Sequence, residues 1–317
     1  MKYPCNHSNA PLSRSFGLII LLGSVLLGGA FLACGKKGRT GSDKDKLVVI
    51  SWTGCGISKK AYMSQMAKEF KKKTGITVNI SGGGATRGIR FASVNKSEMG
   101  GSCRHKIAHN AEKNARGTVV AWDALVVIVN PLNPVRNISS RKLKAVLTGK
   151  IKNWSKLGGK NAPIDVLVRD GKNSGVGRLA RELIFKDRNL NYSPAATNYP
   201  SSGPLERAVE KNQNAIAISG ISSVRKRKVK WLRIDGVGPS YGNIASGKYP
   251  FFRPLYLFTG QKPNKNTRDF IKFVKSEEGQ AIIKKQETVN LADARQGGLF
   301  EKFDKKMKAL GIDKWQE

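Results

Sequence analysis

The strongest limit on the fold is a repeated unit in which a short apolar strand leads into a loop of small residues and then into a helix. Leu47–Ile50 is typical of a buried strand, Thr53–Ser58 is a glycine-containing loop, and the helix that follows has an apolar face at spacings of three and four. That face consists of Tyr62, Met63, Met66, Ala67 and Phe70. The unit recurs with the alternating run Ile76–Ile80 and the loop Gly82–Thr86, and a further loop covers Gly100–Arg104. Such repeats predict an α/β sheet whose loops meet at one edge, where ligands bind.

The middle of the chain repeats this arrangement. Ala124–Val129 is an apolar, β-branched run of the kind that is buried on both faces of a sheet. Ser139 or Ser140 then caps an amphipathic helix. Val166–Val168 is another buried strand, and Arg169 stands at its C-terminal end. Arg169 is therefore predicted at the edge of the sheet where a ligand would lie.

The residues after Arg169 predict the start of a helix that could bind an anion. Ser174 is a good cap, and the N–H groups of Gly175, Val176 and Gly177 would be free at the positive end of the helix dipole. Small residues also begin many helices that bind nothing. The Ser-Gly-x-Gly pattern alone therefore leaves both an anion site and an ordinary helix cap open.

The segment Ala121–Gly177, together with the small-residue loops before it, resembles the solute-binding proteins of phosphate ABC transporters, the phosphate-binding family of type II periplasmic binding proteins. Arg253–Phe258 is similar to an Arg-Pro-Leu-Tyr strand of that family, and the resemblance covers most of the mature chain. It implies an α/β fold with two lobes, each a mixed, mostly parallel sheet flanked by helices, joined by a two-segment hinge near Trp122 and Phe251. Lobe I would comprise residues 46–122 and 250–317, and lobe II residues 123–249.

The resemblance also implies the ligand, which would be inorganic phosphate or a similar tetrahedral oxyanion held between the lobes. Carried over position by position, the predicted ligand-binding residues are Ser58, Ala85, Thr86, Ser102, Cys103, Arg104, Arg169, Ser174, Gly175 and Val176.

The anion loops depart from the family pattern at several positions. Ile57 and Val176 stand where Thr is usual, Arg169 lies one residue farther from the serine, and Cys103 replaces an Asp that accepts the proton of hydrogen phosphate. Loss of that carboxylate puts the discrimination of phosphate from sulfate in doubt, because only a protonated anion can donate to an acceptor. Arg104 would attract any dianion if it faces the cleft, and it would have no such role as a surface arginine.

The N-terminus is predicted to be a bacterial lipoprotein signal. Lys2 and Arg14 precede an uncharged apolar run that ends in small residues before Cys34, which resembles a lipobox although Phe31 replaces the usual Leu. Residues 1–33 would be removed, Cys34 would carry lipid, and residues 34–45 would form a polar tether. An uncleaved membrane anchor is the alternative, since the run is almost long enough to span a bilayer. The globular part would be exported and anchored to the cell envelope.

Two cysteines remain in the predicted mature protein beyond Cys34. Cys55 lies in the first loop and Cys103 in the third, and an exported protein meets oxidising surroundings. We expect a Cys55–Cys103 disulfide beside the anion loops. Two free thiols are an alternative, and a metal site that adds His105 and His109 is a remoter one.

The chain is strongly basic, with 57 Lys and Arg against 22 Asp and Glu and a formal net charge of +35. Cleavage of the signal removes Lys2 and Arg14 and leaves +33. Such a charge suits a polyanion partner, an envelope polymer or nucleic acid, but the lysines are spread over nearly every predicted helix. No zinc-finger spacing or RNA-binding aromatic motif is found in the sequence, so a solvated basic surface and steering of small anions are the simpler interpretation, and we expect no nucleic-acid partner.

The sequence therefore predicts a monomeric, lipid-anchored binding protein that delivers phosphate to the transmembrane subunits of an ABC permease. A sensor or scavenger of another oxyanion and an envelope polyanion binder are the alternatives. We expect no enzymatic activity, no cofactor and no metal, because no Ser/His/Asp or paired-carboxylate arrangement is found in the sequence.

Overall fold

The computed structural model describes residues 48–316. The predicted signal, the tether and the lipidation site Cys34 lie outside the described residues. Residues 46–317 form a compact unit of their own. Among the helices of residues 48–316, none combines the length and apolar character needed to cross a bilayer.

The strands follow the predicted apolar runs, with one long strand in the middle of the chain. They are β1 Val49–Gly54, β2 Thr77–Ser81, β3 Met99–Ser102, β4 Arg116–Val129, β5 Asn137–Ile138, β6 Asp165–Arg169, β7 Thr197–Tyr199, β8 Ala215–Gly220, β9 Lys230–Trp231, β10 Arg233–Ile234 and β11 Phe252–Thr259.

The helices lie between these strands and, near the C-terminus, follow one another directly. They are α1 Gly56–Ser58, α2 Ser64–Thr74, α3 Gly84–Ser93, α4 Ser140–Leu147, α5 Gly175–Ala180, α6 Ser202–Lys211, α7 Ile221–Val224, α8 Tyr241–Ala245, α9 Lys265–Lys275, α10 Glu277–Lys285, α11 Leu291–Gln296 and α12 Leu299–Lys308. A π-helical turn, Lys59–Met63, connects α1 to α2, and a second one, Arg181–Phe185, continues α5.

Nine of the strands form one sheet in the order β2-β1-β3-β11-β4-β8-β6-β7, with β9 also paired to β4, and β5 and β10 pair in a separate two-stranded sheet. Pairing is parallel between β1 and β2, β1 and β3, β6 and β7, and β6 and β8, whereas β4 and β11 run antiparallel to their neighbours. We call the half that contains β1, β2, β3 and β11 lobe I, and the half that contains β6, β7, β8 and β9 lobe II. Each half is a mixed, mostly parallel sheet flanked by helices, so the predicted fold class is confirmed.

Strand β4 belongs to both lobes. Its first part, up to Ala124, pairs with β11, and Leu125–Val129 pairs with β8. The return crossing is at Phe251, whose carbonyl accepts the N–H of Leu125 at 2.9 Å. Two segments therefore connect the lobes, as a hinge requires. The predicted lobe limits, residues 46–122 with 250–317 and residues 123–249, stay a prediction.

The predicted apolar faces form the core. All five residues of the first helical face are buried, and Phe70 packs edge to face on Phe270 of α9 at 5.0 Å between ring centroids. A second aromatic cluster surrounds Trp122, where Phe252, Phe303 and Trp315 pack on its indole. Helix α12, which supplies Phe303, thus packs on the lobe I end of the hinge.

Candidate functional site

The first and third loops of lobe I are held together by the parallel pairing of β1 and β3. Gly54 is opposite Gly101, and the N–H of Cys55 donates to the carbonyl of Gly101 at 3.1 Å. Both glycines are required, because a Cβ at Gly101 would lie 1.9 Å from Cζ2 of Trp52 and one at Gly54 would lie 2.4 Å from it. The indole thus fixes the two strand ends side by side and brings the loops that follow them together.

Lobe II contacts these loops through the start of α5. A Cβ added to Gly175 would lie 2.5 Å from Sγ of Cys103 and 3.0 Å from Cβ of Ala85. The backbone of α5 therefore touches the second and third loops of lobe I directly. Of the predicted ligand residues, Ala85, Cys103 and Gly175 meet at this interface.

A cavity of about 290 Å³ opens beside this contact. Residues 83–86 of lobe I line one side and residues 169–174 of lobe II line the other, so it contains Thr86, Arg169 and Ser174. One guanidinium N–H of Arg169 donates to the carbonyl of Tyr199. Burial lowers the pKa of Arg169 from its usual value, and the nearby Cys103 opposes that effect. Val176 and Arg169 also line a smaller cavity within lobe II.

The predicted hydroxyl ligands have protein partners in this structure. Ser58 lies 3.2 Å from Sγ of Cys55, Thr86 donates to the carbonyl of Asn173 at 2.8 Å, and Ser102 donates to the carbonyl of Arg104 at 2.7 Å. Ser174 accepts the N–H of Gly177 at 3.2 Å, which is the helix cap that the sequence allowed. Capping uses an acceptor site of this hydroxyl and leaves its proton available for donation.

Arg104 has a different role from the predicted one. It is 1% exposed, and its guanidinium forms an ion pair with Glu112 at 2.7 and 2.9 Å. The remaining N–H groups donate to Thr86 at 3.2 Å and to the carbonyls of His105 and Asn173, each at 2.8 Å. An arginine has five such donors, and all five have acceptors here. This corrects both expectations: Arg104 is neither a surface residue nor a free anion ligand, but connects lobe I to Asn173 of lobe II.

Cys55 and Cys103 lie next to each other as free, buried thiols. The predicted disulfide is therefore not formed in this structure, and it stays a prediction. The sulfur of Cys55 accepts the N–H of Ser58 at 3.3 Å. Hydrogen bonding with the Cys103 thiol, together with Ser58 and the charge of Arg253, lowers the pKa of Cys55 to about 6 although burial opposes this shift. The pKa of Cys103 is raised, because its proton is held by Cys55 and the site is buried.

Sequence reasoning missed a buried ion pair beside these thiols. Arg253 of β11 donates to Asp123 of β4 at 3.0 Å and to the carbonyl of Cys103 at 3.4 Å, and both charged side chains are fully buried. Asp123 also accepts the N–H and hydroxyl of Ser222 at 3.1 and 2.7 Å. Nε of Arg253 is buried without a partner. The arginine in the Arg-Pro-Leu-Tyr strand was the signal that could have revealed this pair.

Further polar contacts join the lobes around the site. His105 of lobe I lies 3.0 Å from Glu182 of lobe II, and Lys60 of lobe I lies 3.5 Å from Glu206. His109 accepts the N–H of Ala111 at 3.1 Å. Within residues 48–316, no group of three or more His, Cys, Asp or Glu side chains is arranged to hold a metal ion. The cysteines and His105 thus have other partners than a common metal.

Comparison with known proteins gives consistent matches. Residues 55–278 match the model of the PBP superfamily domain. A relative named phosphate-binding protein PstS from Borreliella burgdorferi is 28% identical over 77% of this chain and 90% of its own length, and one of the same name from Bacillus subtilis is 28% identical over 84% of this chain and 90% of its own.

Solved structures match over a similar range. A protein from Clostridium perfringens, described as a phosphate ABC transporter substrate-binding protein with bound phosphate, has a TM-score of 0.70 at 28% identity and covers 77% of this chain and 99% of its own. An ABC-type phosphate transport receptor from Vibrio cholerae has a TM-score of 0.59 at 25% identity over 76% of this chain and 99% of its own.

Proposed function

The chain belongs to the PBP superfamily, and from this premise we propose that it captures inorganic phosphate, or a similar tetrahedral oxyanion, in the cleft between its lobes. The observation that carries the proposal is the cavity between residues 83–86 and 169–174, which has the guanidinium of Arg169 in its wall. The phosphate-bound protein from Clostridium perfringens, which shares this fold, supports the choice of anion.

The anion would be held mainly by lobe II groups and by backbone N–H donors. Arg169 supplies a charge-assisted hydrogen bond, Ser174 donates its hydroxyl proton, and the N–H groups at Gly175 and Val176 point out of the start of a helix. Thr86 can turn its hydroxyl proton from the carbonyl of Asn173 to the ligand, because a hydroxyl group rotates toward the best available acceptor. Arg104 is left out of the ligand set, since all its donors have protein acceptors.

Binding would be coupled to cleft closure. The contacts from Arg104 to Asn173, from His105 to Glu182 and from Lys60 to Glu206 cross between the lobes and would form as the cleft closes. A ligand that bridges Arg169 and the lobe I loops adds to them, so it favours the closed form. Closure excludes water from the anion, which strengthens each hydrogen bond to it.

In the cell, the protein would be a receptor and not an enzyme. We propose that it is exported, anchored to the bacterial envelope through lipid on Cys34, and acts as a monomer that delivers its anion to the transmembrane subunits of an ABC permease. No cofactor is needed for this role. A sensor or scavenger of another oxyanion would use the same cleft, and the two roles differ only in what the closed form contacts.

A second candidate function rests on a different cavity. A space of about 1010 Å³ is lined by basic side chains of both lobes, among them Lys106, Lys113, Arg178 and Arg188. Together with the net charge of +35, this surface suits an acidic polymer of the envelope. Binding that weakens steeply with salt, with no response to small anions, would favour this function.

Calorimetric titration of residues 46–317 with phosphate and with sulfate tests the proposal. We expect phosphate to bind, and we expect Arg169→Met to weaken it about 10- to 100-fold, because a hydrogen bond to a charged group contributes roughly 1.5–3 kcal/mol. Arg141→Met, which removes an exposed arginine from α4, is the matched control and should bind as the parent does. If the parent protein bound neither phosphate nor sulfate, the proposed ligand would be rejected and an acidic polymer would be favoured as the ligand.

A further inference from the structure

Phosphate capture does not explain why two thiols lie in the anion loops. A thiol is a weaker hydrogen-bond donor than the hydroxyls common at anion sites, so cysteines add little to oxyanion binding. Cys55 caps the first helix of lobe I, and Cys103 lies against Gly175 at the contact between the lobes. Chemistry specific to sulfur is a better reason for both residues.

The paired ends of β1 and β3 place both thiols at the same edge of lobe I, as the capture of one central atom requires. Cys55 directly follows β1 and Cys103 directly follows β3, both are buried, and no disulfide joins them. A thiolate keeps about 2.3 Å from a bound zinc ion, so two sulfurs on one atom of similar size are also at non-bonded contact distance. The N–H of Ser58, 3.3 Å from the Cys55 sulfur, stabilises the thiolate that must attack such an atom.

We propose that Cys55 and Cys103 together capture a trivalent arsenic hydroxide, As(OH)₃, covalently in this cleft. Each sulfur forms one bond to arsenic and displaces one hydroxide, which leaves with a thiol proton as water. The product is a cyclic dithiolate with one remaining As–OH, formed with release of two waters. Arsenic stays trivalent, so no oxidant or reductant takes part.

The charges around the thiols favour this uncharged species over a soft cation. Arg253 is fully buried, donates to the carbonyl of Cys103 at 3.4 Å, and has a further buried N–H without a partner. Arg169 also acts on both sulfurs through its charge. Asp123 compensates Arg253, which leaves the charge of Arg169 to repel a divalent cation, and residues 48–316 offer no third His, Cys, Asp or Glu ligand beside the pair. As(OH)₃ is uncharged at neutral pH, and its product needs only two sulfurs.

Access to the sulfurs depends on cleft opening, and to this extent the inference rests on the proposed function. Cys55 and Cys103 are 7% and 1% exposed, and Gly175 of lobe II covers Cys103. An open cleft uncovers the thiols, and closure over the adduct buries it. Phosphate and As(OH)₃ would then compete, because both occupy the space between Gly175 and the lobe I loops.

The test uses residues 46–317, whose only cysteines are Cys55 and Cys103, reduced with a phosphine and titrated with sodium arsenite. Intact-mass spectrometry counts arsenic per chain, and alkylation under denaturing conditions counts the free thiols. We expect one arsenic and the loss of both alkylatable thiols. Cys55→Ser and Cys103→Ser should each lower the affinity about 10²–10⁴-fold, because the second bond is then no longer formed within one molecule.

A lone accessible thiol provides the matched control. Val94→Cys, placed at a 65% exposed position in the Cys55→Ser/Cys103→Ser background, reports how tightly one unpaired thiol holds arsenite. Parent protein that binds no more tightly than this variant would overturn the inference. So would an adduct that leaves both thiols alkylatable, a disulfide that the phosphine cannot open, or zinc that displaces arsenite at equal concentration.

Phosphate titration of the same reduced protein separates the two proposals. Phosphate binding without arsenic capture would reject only the arsenic site. Arsenic capture at both thiols without phosphate binding would reject the phosphate ligand and leave the arsenic site standing.

Discussion

At the scale of single residues, the site is held by buried charges that have protein partners. Arg104 with Glu112 and Arg253 with Asp123 are two ion pairs in which all four side chains are buried, and each pair lies next to a loop of the candidate site. Removing one partner of such a pair leaves an uncompensated charge in a low-dielectric place, which costs far more than the pair itself contributes. These residues therefore set the position of the loops of the candidate site.

Arg104→Met should destabilise the protein by about 3–5 kcal/mol, because it leaves Glu112 buried without its partner. The free energy of unfolding from denaturant titration measures this. Lys113→Met removes an exposed cation from the same segment and should change stability by less than about 0.5 kcal/mol. The double variant Arg104→Met/Glu112→Leu should recover much of the loss, and a double variant as unstable as the single one would contradict the ion-pair explanation.

Cys55 should titrate as an unusually acidic thiol. Its folded pKa of about 6 lies below the ordinary value of 9.0, so it contributes stability that is fully present above pH 9 and is lost as the pH falls through 6. Cys103→Ala removes the main cause of the shift and should raise the pKa of Cys55. Ultraviolet absorbance of the thiolate against pH in reduced residues 46–317 measures both values, and an identical pKa in parent and variant would contradict the assignment.

At the scale of elements, the sequence predicted the strands, loops and buried helix faces well because their signals are local. Helical spacing identified Met66 and Phe70, and the cap at Ser174 begins α5 as expected. The first part of β4 and the helices α11 and α12 were missed, since their place depends on packing around the hinge and on Trp122.

The site was predicted less completely than the fold for a related reason. Arg104 was assigned to the ligand because its neighbours in sequence resemble anion loops, whereas its partner Glu112 lies eight residues later. Arg253 was not assigned at all, because its partner Asp123 is 130 residues away. Spacing along the chain identifies groups that could bind an anion, but it does not reveal which of them already have partners.

The start of α5 should tolerate no side chain at Gly175. A methyl group there would lie 2.5 Å from the Cys103 sulfur and 3.0 Å from Ala85, so Gly175→Ala would hold the lobes apart at the site. We expect phosphate affinity to fall about tenfold or more, which is roughly 1.4 kcal/mol, with the unfolding free energy nearly unchanged. Gly242→Ala, at the start of α8 with no atom within 4 Å of the added carbon, is the matched control. Equal phosphate affinity in the two variants would contradict the closed contact.

At the scale of the whole molecule, the excess of positive charge should raise the rate constant at which anions associate with the cleft. A net charge of +35 raises the local concentration of anions around the cleft, and salt screens this field over about 10 Å at 0.1 M. The proposed closed complex would be affected much less, because the anion and Arg169 would then be buried together. Long-range charge should thus change mainly the association rate constant, and short-range hydrogen bonds mainly the dissociation rate constant.

Stopped-flow measurement of phosphate binding to residues 46–317, from low to high ionic strength in a salt whose anion does not compete with phosphate, separates them. We expect the association rate constant to fall by a factor of about 10 or more, since electrostatic steering typically contributes 10- to 1000-fold, while the dissociation rate constant changes little. Arg169→Met should have the opposite signature, a faster dissociation with a similar salt dependence of association. A dissociation rate that rises steeply with salt would mean that the anion sits on the exposed basic surface, and the acidic-polymer function would then be the better explanation of the charge.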